Sequence, residues 1–116
     1  MSFQPFDYLR HILAEADYLL RTARSTTQQA FLADESLRRA FVRSFEVMGE
    51  ATKRVPDDLR GRHPQVHWSE MVRMRDRLIH GYFDVDHELV WDIVQTDIPE
   101  LKQQLEAILS DEDGGT

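Results

Sequence analysis

The sequence has no cysteine. Disulfides, thiol nucleophiles and thiolate metal sites are therefore excluded, and this fits a reducing cytoplasm as the expected location. No apolar run approaches the roughly 20 residues that a membrane helix needs, so no membrane partner is expected. The first residues show no basic stretch leading into an apolar one, the pattern of a secretion signal. Glycine and proline are sparse, five and four in 116 residues. Few breakers leave room for long, uninterrupted helices. Strand-like alternation is also missing. A net charge of −7 argues against a protein that coats nucleic acid without selection.

What is present fits one all-α domain. Apolar residues make up 41% and charged residues 30% of the chain, a balance suited to a packed core under a solvated surface. The charge is unevenly placed. Residues 53–80 carry seven Lys or Arg against four Asp or Glu, whereas residues 81–116 carry one against ten. The basic middle reads either as ordinary helix-surface charge or as a local patch for an anionic substrate.

Periodicity predicts a first helix from Pro5 to Arg24, with Leu9, Ile12, Leu13, Ala16, Leu19 and Leu20 on one stripe. Ser25 or Thr26 is the expected cap of a short second helix, and Asp34 that of a long third one carrying Leu37, Phe41, Phe45, Met48 and Ala51. Val55-Pro56 stops the third helix, and Pro56 opens a short helical turn with Asp57 and Asp58. Residues 61–67 read as a loop, Ser69 as the next cap, and Gly81 as a left-handed helix end. Asp84 or Asp86 starts the last helical stretch. Pro99 and the Asp97–Glu100 capping pattern kink it or split it. The domain is expected to occupy residues 1–109, with an acidic, frayed tail over 110–116. Short connections between amphipathic helices imply an antiparallel bundle.

The chemistry concentrates in Arg75-Asp76-Arg77-Leu78-Ile79-His80-Gly81-Tyr82. If the helix continues to Gly81, Asp76 lies one turn from His80, where a carboxylate can fix and charge the imidazole. Arg75 is about 140° from His80 at 100° per residue. It reaches the ring only by wrapping round the helix or through a loosened end. A guanidinium and an imidazole beside a groove suit phosphodiester cleavage: one holds the phosphate oxygens, the other moves protons near neutral pH. RNA brings its own nucleophile in the 2′-hydroxyl, so no metal is required. The plainer reading is that such residues cap helix carbonyls or form surface pairs.

The string from Met74 to Asp86, followed by Val90-Trp91, resembles the HepT-like toxins of the HEPN superfamily, whose motif is Arg-x4-His-x-Tyr. Gly49-Glu50-Ala51 and Trp68 are similar to the same family. The resemblance spans roughly residues 5–109 and departs at His67, where a proline is expected before the tryptophan. It implies a helical homodimer that cuts RNA without metal. Arg75 and His80 are then the catalytic pair, with Asp76 supporting them. It also implies a type VII toxin–antitoxin pair. The partner is a minimal nucleotidyltransferase antitoxin that adds AMP to Tyr82, placing charge and bulk beside His80. A twofold dimer would supply two histidines and two arginines to one cleft.

Arg77 is a further candidate for substrate phosphate, and Glu50 for orienting Arg75 or touching substrate, though a surface arginine and a structural glutamate are the plainer readings. Trp68 and Trp91 could stack on bases, but suit core positions better. His63 and His67 read as loop histidines, with Pro64 between them and no carboxylate to complete a metal site. Two other functions compete with the nuclease. One is a catalytically silent HEPN module that binds nucleotide or scaffolds a nucleotidyltransferase. The other is a helical dimerisation protein with no nucleic-acid role. The RNA target, cut position and product ends are open.

Overall fold

The computed structural model describes residues 4–80 and 84–114. Among the described residues there are seven helices: α1 (Pro5–Arg24), α2 (Gln28–Ala33), α3 (Glu35–Arg54), α4 (Asp57–Arg62), α5 (Trp68–Leu78), α6 (His87–Thr96) and α7 (Ile98–Gly114). The fold is the expected all-α bundle.

The first and third helices follow their stripes. The backbone N–H of Gln4 donates to Asp7 Oδ2 at 2.9 Å, which secures the start of α1, and Arg21 and Arg24 sit in its last turn, where cations suit the helix dipole. Asp34 accepts from the Leu37 N–H at 3.1 Å and caps α3. The α3 helix ends at Val55-Pro56 as the sequence requires. The cap of α2 is Thr27, which accepts from the Ala30 N–H at 3.1 Å, rather than Ser25 or Thr26. Ser25 instead turns its hydroxyl back to the Thr22 carbonyl at the end of α1. The expected loop also begins later, because α4 runs through Gly61 to Arg62.

Both long pairings are antiparallel. Tyr18 meets Phe41 near one end of α1 and α3, while Tyr8 and His11 lie beside Glu50 and Arg54 near the other. Across α3 and α5, Glu46 faces Arg75 and Thr52 faces Met71. Gly49 lies between these contacts. A Cβ there would stand 3.6 Å from the Met71 carbonyl, an ordinary van der Waals distance, so an alanine would pack against α5 without displacing it.

The α7 helix lies along α1, where Lys102 reaches Asp17 at 3.2 Å. Arg21 and Lys102 beside Asp17 hold its carboxyl below the usual carboxylate range. The core runs through the bundle from Leu9 and Ile12 to Leu105 and Ile108. At one end an aromatic cluster joins three elements: Phe31 packs 4.8 Å from Phe41 and 5.3 Å from Trp91, centroid to centroid.

Pro99 separates α6 from α7 at Asp97, so the final stretch is two helices rather than one kinked helix. The α7 helix continues to Gly114, past Leu109 and into the acidic stretch expected to fray.

Candidate active site

The motif helix α5 starts two residues before the expected position, capped at residue 67 rather than at Ser69. His67 is its N-cap and makes no side-chain cap bond, while Ser69 lies inside the helix and accepts from Arg73 at 3.4 Å. Trp68 anchors this start: its indole N–H donates to the His63 carbonyl at 3.0 Å, and the ring is buried. Trp91 is buried in the aromatic cluster. Both tryptophans are therefore core residues in this chain. His63 and His67 cap the helices on either side of the 63–67 loop, and no group of metal-ligating side chains occurs among the described residues.

The other end of α5 departs most from expectation. The helix stops at Leu78, three residues before Gly81, and Ile79 is extended at φ −114°, ψ 110°. Ile79 forms an antiparallel bridge with Val85. The His80 N–H donates to the Asp84 carbonyl at 2.6 Å, and the Asp86 N–H donates to the Leu78 carbonyl at 2.8 Å. These bonds close a neck between the end of α5 and the start of α6. Asp86 then caps α6 through the Leu89 N–H at 3.0 Å.

The i, i+4 pairing of Asp76 with His80 therefore does not form. His80 lies beyond the helix, and Asp76 is 82% exposed with its nearest charged partner on Arg75, 3.8 Å away. Gly81 and Tyr82, the expected helix end and modification site, lie outside the described residues.

Arg75 stands in the last turn of α5 with its side chain 53% exposed, and its guanidinium is 3.7 Å from Glu46 on α3. Glu46, not Glu50, is the α3 carboxylate facing Arg75. Glu50 pairs with Lys53 at 3.2 Å on the solvent side. Glu46 escaped the sequence reading, although it sits one turn before Glu50 and the antiparallel register of α3 and α5 brings it level with Arg75. Arg77 is exposed in the same last turn. The site thus gathers Arg75, Asp76 and Glu46, with Arg77 and His80 exposed nearby in sequence, where α5 gives way to the neck.

His87, the first residue of α6, lies just past that neck. Its Nδ1 is enclosed with no hydrogen-bond partner among the described residues. Burial, then the positive charge of Arg38, holds its pKa below the ordinary 6.5, outweighing Asp86. The folded chain thus favours neutral His87. Its contribution to stability is complete above the unfolded-state pKa and is lost as pH falls below about 6.5 toward the folded value. Thermal melts of wild type and His87→Gln from about pH 7.5 down to 5 test this. The difference in Tm should shift toward the variant as pH falls; a difference independent of pH would contradict the assignment.

A helical bundle that presents an Arg-x4-His string where its fifth helix meets a pinned neck is of the HEPN type. A family model described as "Ribonuclease HepT-like" matches residues 12–108. A candidate RNase of Caldanaerobacter subterraneus subsp. tengcongensis is 43% identical over 108 residues, 93% of this chain and 96% of that protein. A protein of Thermococcus cleftensis described as a probable ribonuclease HepT is 40% identical over 102 residues, 88% of this chain and 93% of its own. A candidate RNase of Methanocaldococcus jannaschii is 38% identical over 107 residues, 92% and 88% of the two chains. No solved structure matches significantly. The chain belongs to the HepT-like ribonuclease family.

Proposed function

We propose that this chain is a metal-independent RNA endonuclease acting as the toxin of a toxin–antitoxin pair, with Arg75 and His80 as its catalytic groups. The observation that carries this reading is the accessibility of both. Arg75 has only long contacts, 3.7 and 3.8 Å, to its carboxylate neighbours, and His80 is exposed at the neck. A phosphate can displace such weak surface pairs, because it offers a guanidinium two charge-assisted hydrogen bonds at once.

The 2′-hydroxyl of the substrate attacks the adjacent phosphorus as a base takes its proton. The P–O5′ bond breaks, and the leaving oxygen receives a proton from an acid. Arg75 stabilises the charge gained on the non-bridging oxygens. One product ends in a cyclic phosphate and the other in a 5′-hydroxyl. One chain supplies one motif histidine, whereas the reaction uses a base and an acid. A twofold homodimer with the motif near its axis supplies both. Asp76 and Glu46 hold the guanidinium between turnovers.

The partner in this reading is a minimal nucleotidyltransferase: the Tyr82 hydroxyl gives up its proton and attacks the α-phosphorus of ATP, the bond to the β-phosphate breaks, and pyrophosphate leaves with AMP on the tyrosine oxygen. The adenylate phosphate, two residues from His80, occupies the space and positive charge that RNA requires.

The test is cleavage of RNA by purified protein in excess chelator, with product ends mapped, before and after coexpression with a minimal nucleotidyltransferase. Expected are cyclic-phosphate ends at undiminished rate, and loss of cleavage accompanied by an added adenylate mass on Tyr82. Cleavage that stops with chelator would sink the metal-independent mechanism. Full neutralisation with Tyr82 unmodified would sink the regulatory part.

A further inference from the structure

A second surface lies on α3, next to the helix face that carries Glu46. Arg43, Val47, Glu50 and Arg54 recur at spacings of four, three and four and so share one stripe. With Tyr8 and His11 of α1 they line a groove of about 380 Å³. Arg43 and Arg54 are exposed and make no ion pair among the described residues. Glu50, the acidic residue of the groove, is paired with Lys53, so the groove stays net positive within a chain of net charge −7. Arg43 is three residues from Glu46, and that carboxylate faces Arg75. The groove therefore begins within one helical turn of the carboxylate paired with Arg75. From Arg43 to Arg54 it follows α3 for about 16 Å at 1.5 Å per residue.

We infer that this α1–α3 groove holds the single-stranded RNA backbone that flanks the scissile phosphate, with Arg43 and Arg54 each taking a phosphate. The inference rests on the nuclease reading above and extends it to a substrate track. Grooves for single strands combine cations that follow the backbone with aromatic side chains that meet the bases. Both are here: the arginines stand on the α3 wall, and the Tyr8 ring is set edge-to-face to His11, 6.3 Å away, on the α1 wall. A fixed local track also accounts for an acidic chain acting on an anionic polymer. Binding is confined to the groove and the motif, while the remaining surface repels the strand.

The test is binding of a fluorescent 2′-O-methyl oligoribonucleotide, whose blocked 2′-oxygen prevents cleavage, by the full chain over a range of salt concentrations. Two phosphate contacts at about 0.7 each predict that Arg43→Gln with Arg54→Gln lowers the slope of log K against log salt by about 1.4. Extrapolated to 0.1 M salt, that is roughly a 25-fold loss of affinity. Arg21→Gln with Arg24→Gln removes the same charge at the far end of α1 and is expected to leave slope and affinity as in wild type. Wild-type slope in the groove variant overturns the track, and so does equal weakening in the control pair. If the groove variant binds normally while wild type still cleaves RNA, the track alone falls. If wild type neither binds nor cleaves RNA, the nuclease reading falls with it.

Discussion

Replacing His80 by alanine is expected to lower RNA cleavage by roughly 10²–10⁴-fold, the usual contribution of a positioned acid or base. Arg75→Ala should cost roughly 10²–10³-fold, as when one donor to a developing anionic charge is removed. Both side chains are exposed, so neither variant should lose fold: exposed substitutions typically change stability by no more than about 0.5 kcal/mol. In cells, induction of wild type should arrest growth and fragment RNA, and induction of either variant should do neither. The measurement is cleavage rate beside Tm for all three proteins. Equal cleavage would refute the catalytic assignment and favour a silent HEPN module. Lost cleavage with a collapsed Tm would mean that the residues act through folding.

The largest effect on stability is expected at Phe41. Its side chain is fully buried, 4.8 Å from Phe31 and 6.2 Å from Tyr18 between centroids. It thus connects α1, α2 and α3, and through Phe31 also α6. Phe41→Ala removes the ring and leaves a cavity that stiff neighbours cannot fill, at a cost of about 3–5 kcal/mol. Domains of this size hold only about 5–15 kcal/mol in all. A drop in Tm of roughly 10–20 °C follows, readable by circular dichroism. A loss under about 1 kcal/mol would show that the cluster relaxes around the gap.

Most of the bundle was legible in the chain, for local reasons. The α1 stripe, the Asp34 cap and the Val55-Pro56 stop are each set within a few residues, and the structure keeps all three. Pro99 was legible as a break that kinks or splits the final stretch, and the structure takes the second of these. The misplaced features depend on partners outside any local window. Gly81 marked a plausible helix end, but Ile79 leaves the helix earlier because residues 84–86 offer strand-like bonds to the backbone of residues 78–80. A β-branched residue enters that extended state readily, yet only the returning chain makes it worthwhile. The same limit explains Glu46. Two glutamates lie one turn apart on α3, and the choice between them is made by the register of α5, which sets Thr52 against Met71 and Glu46 against Arg75. The Asp76–His80 pairing depended on an unbroken helix and failed with it. The motif residues themselves were legible because the string is specific, and the family match covers it.

The neck below the motif has a consequence for change over time. Two backbone bonds, His80 to Asp84 and Asp86 to Leu78, fasten the chain where it leaves α5 and rejoins α6. The donors are main-chain N–H groups, so the joint depends on no side chain and requires only that positions 80 and 86 are not proline. Substitutions at His80 and Asp84 can therefore alter the chemistry of this surface without unfastening α5 from α6. Residue identity can drift there while the backbone joint persists.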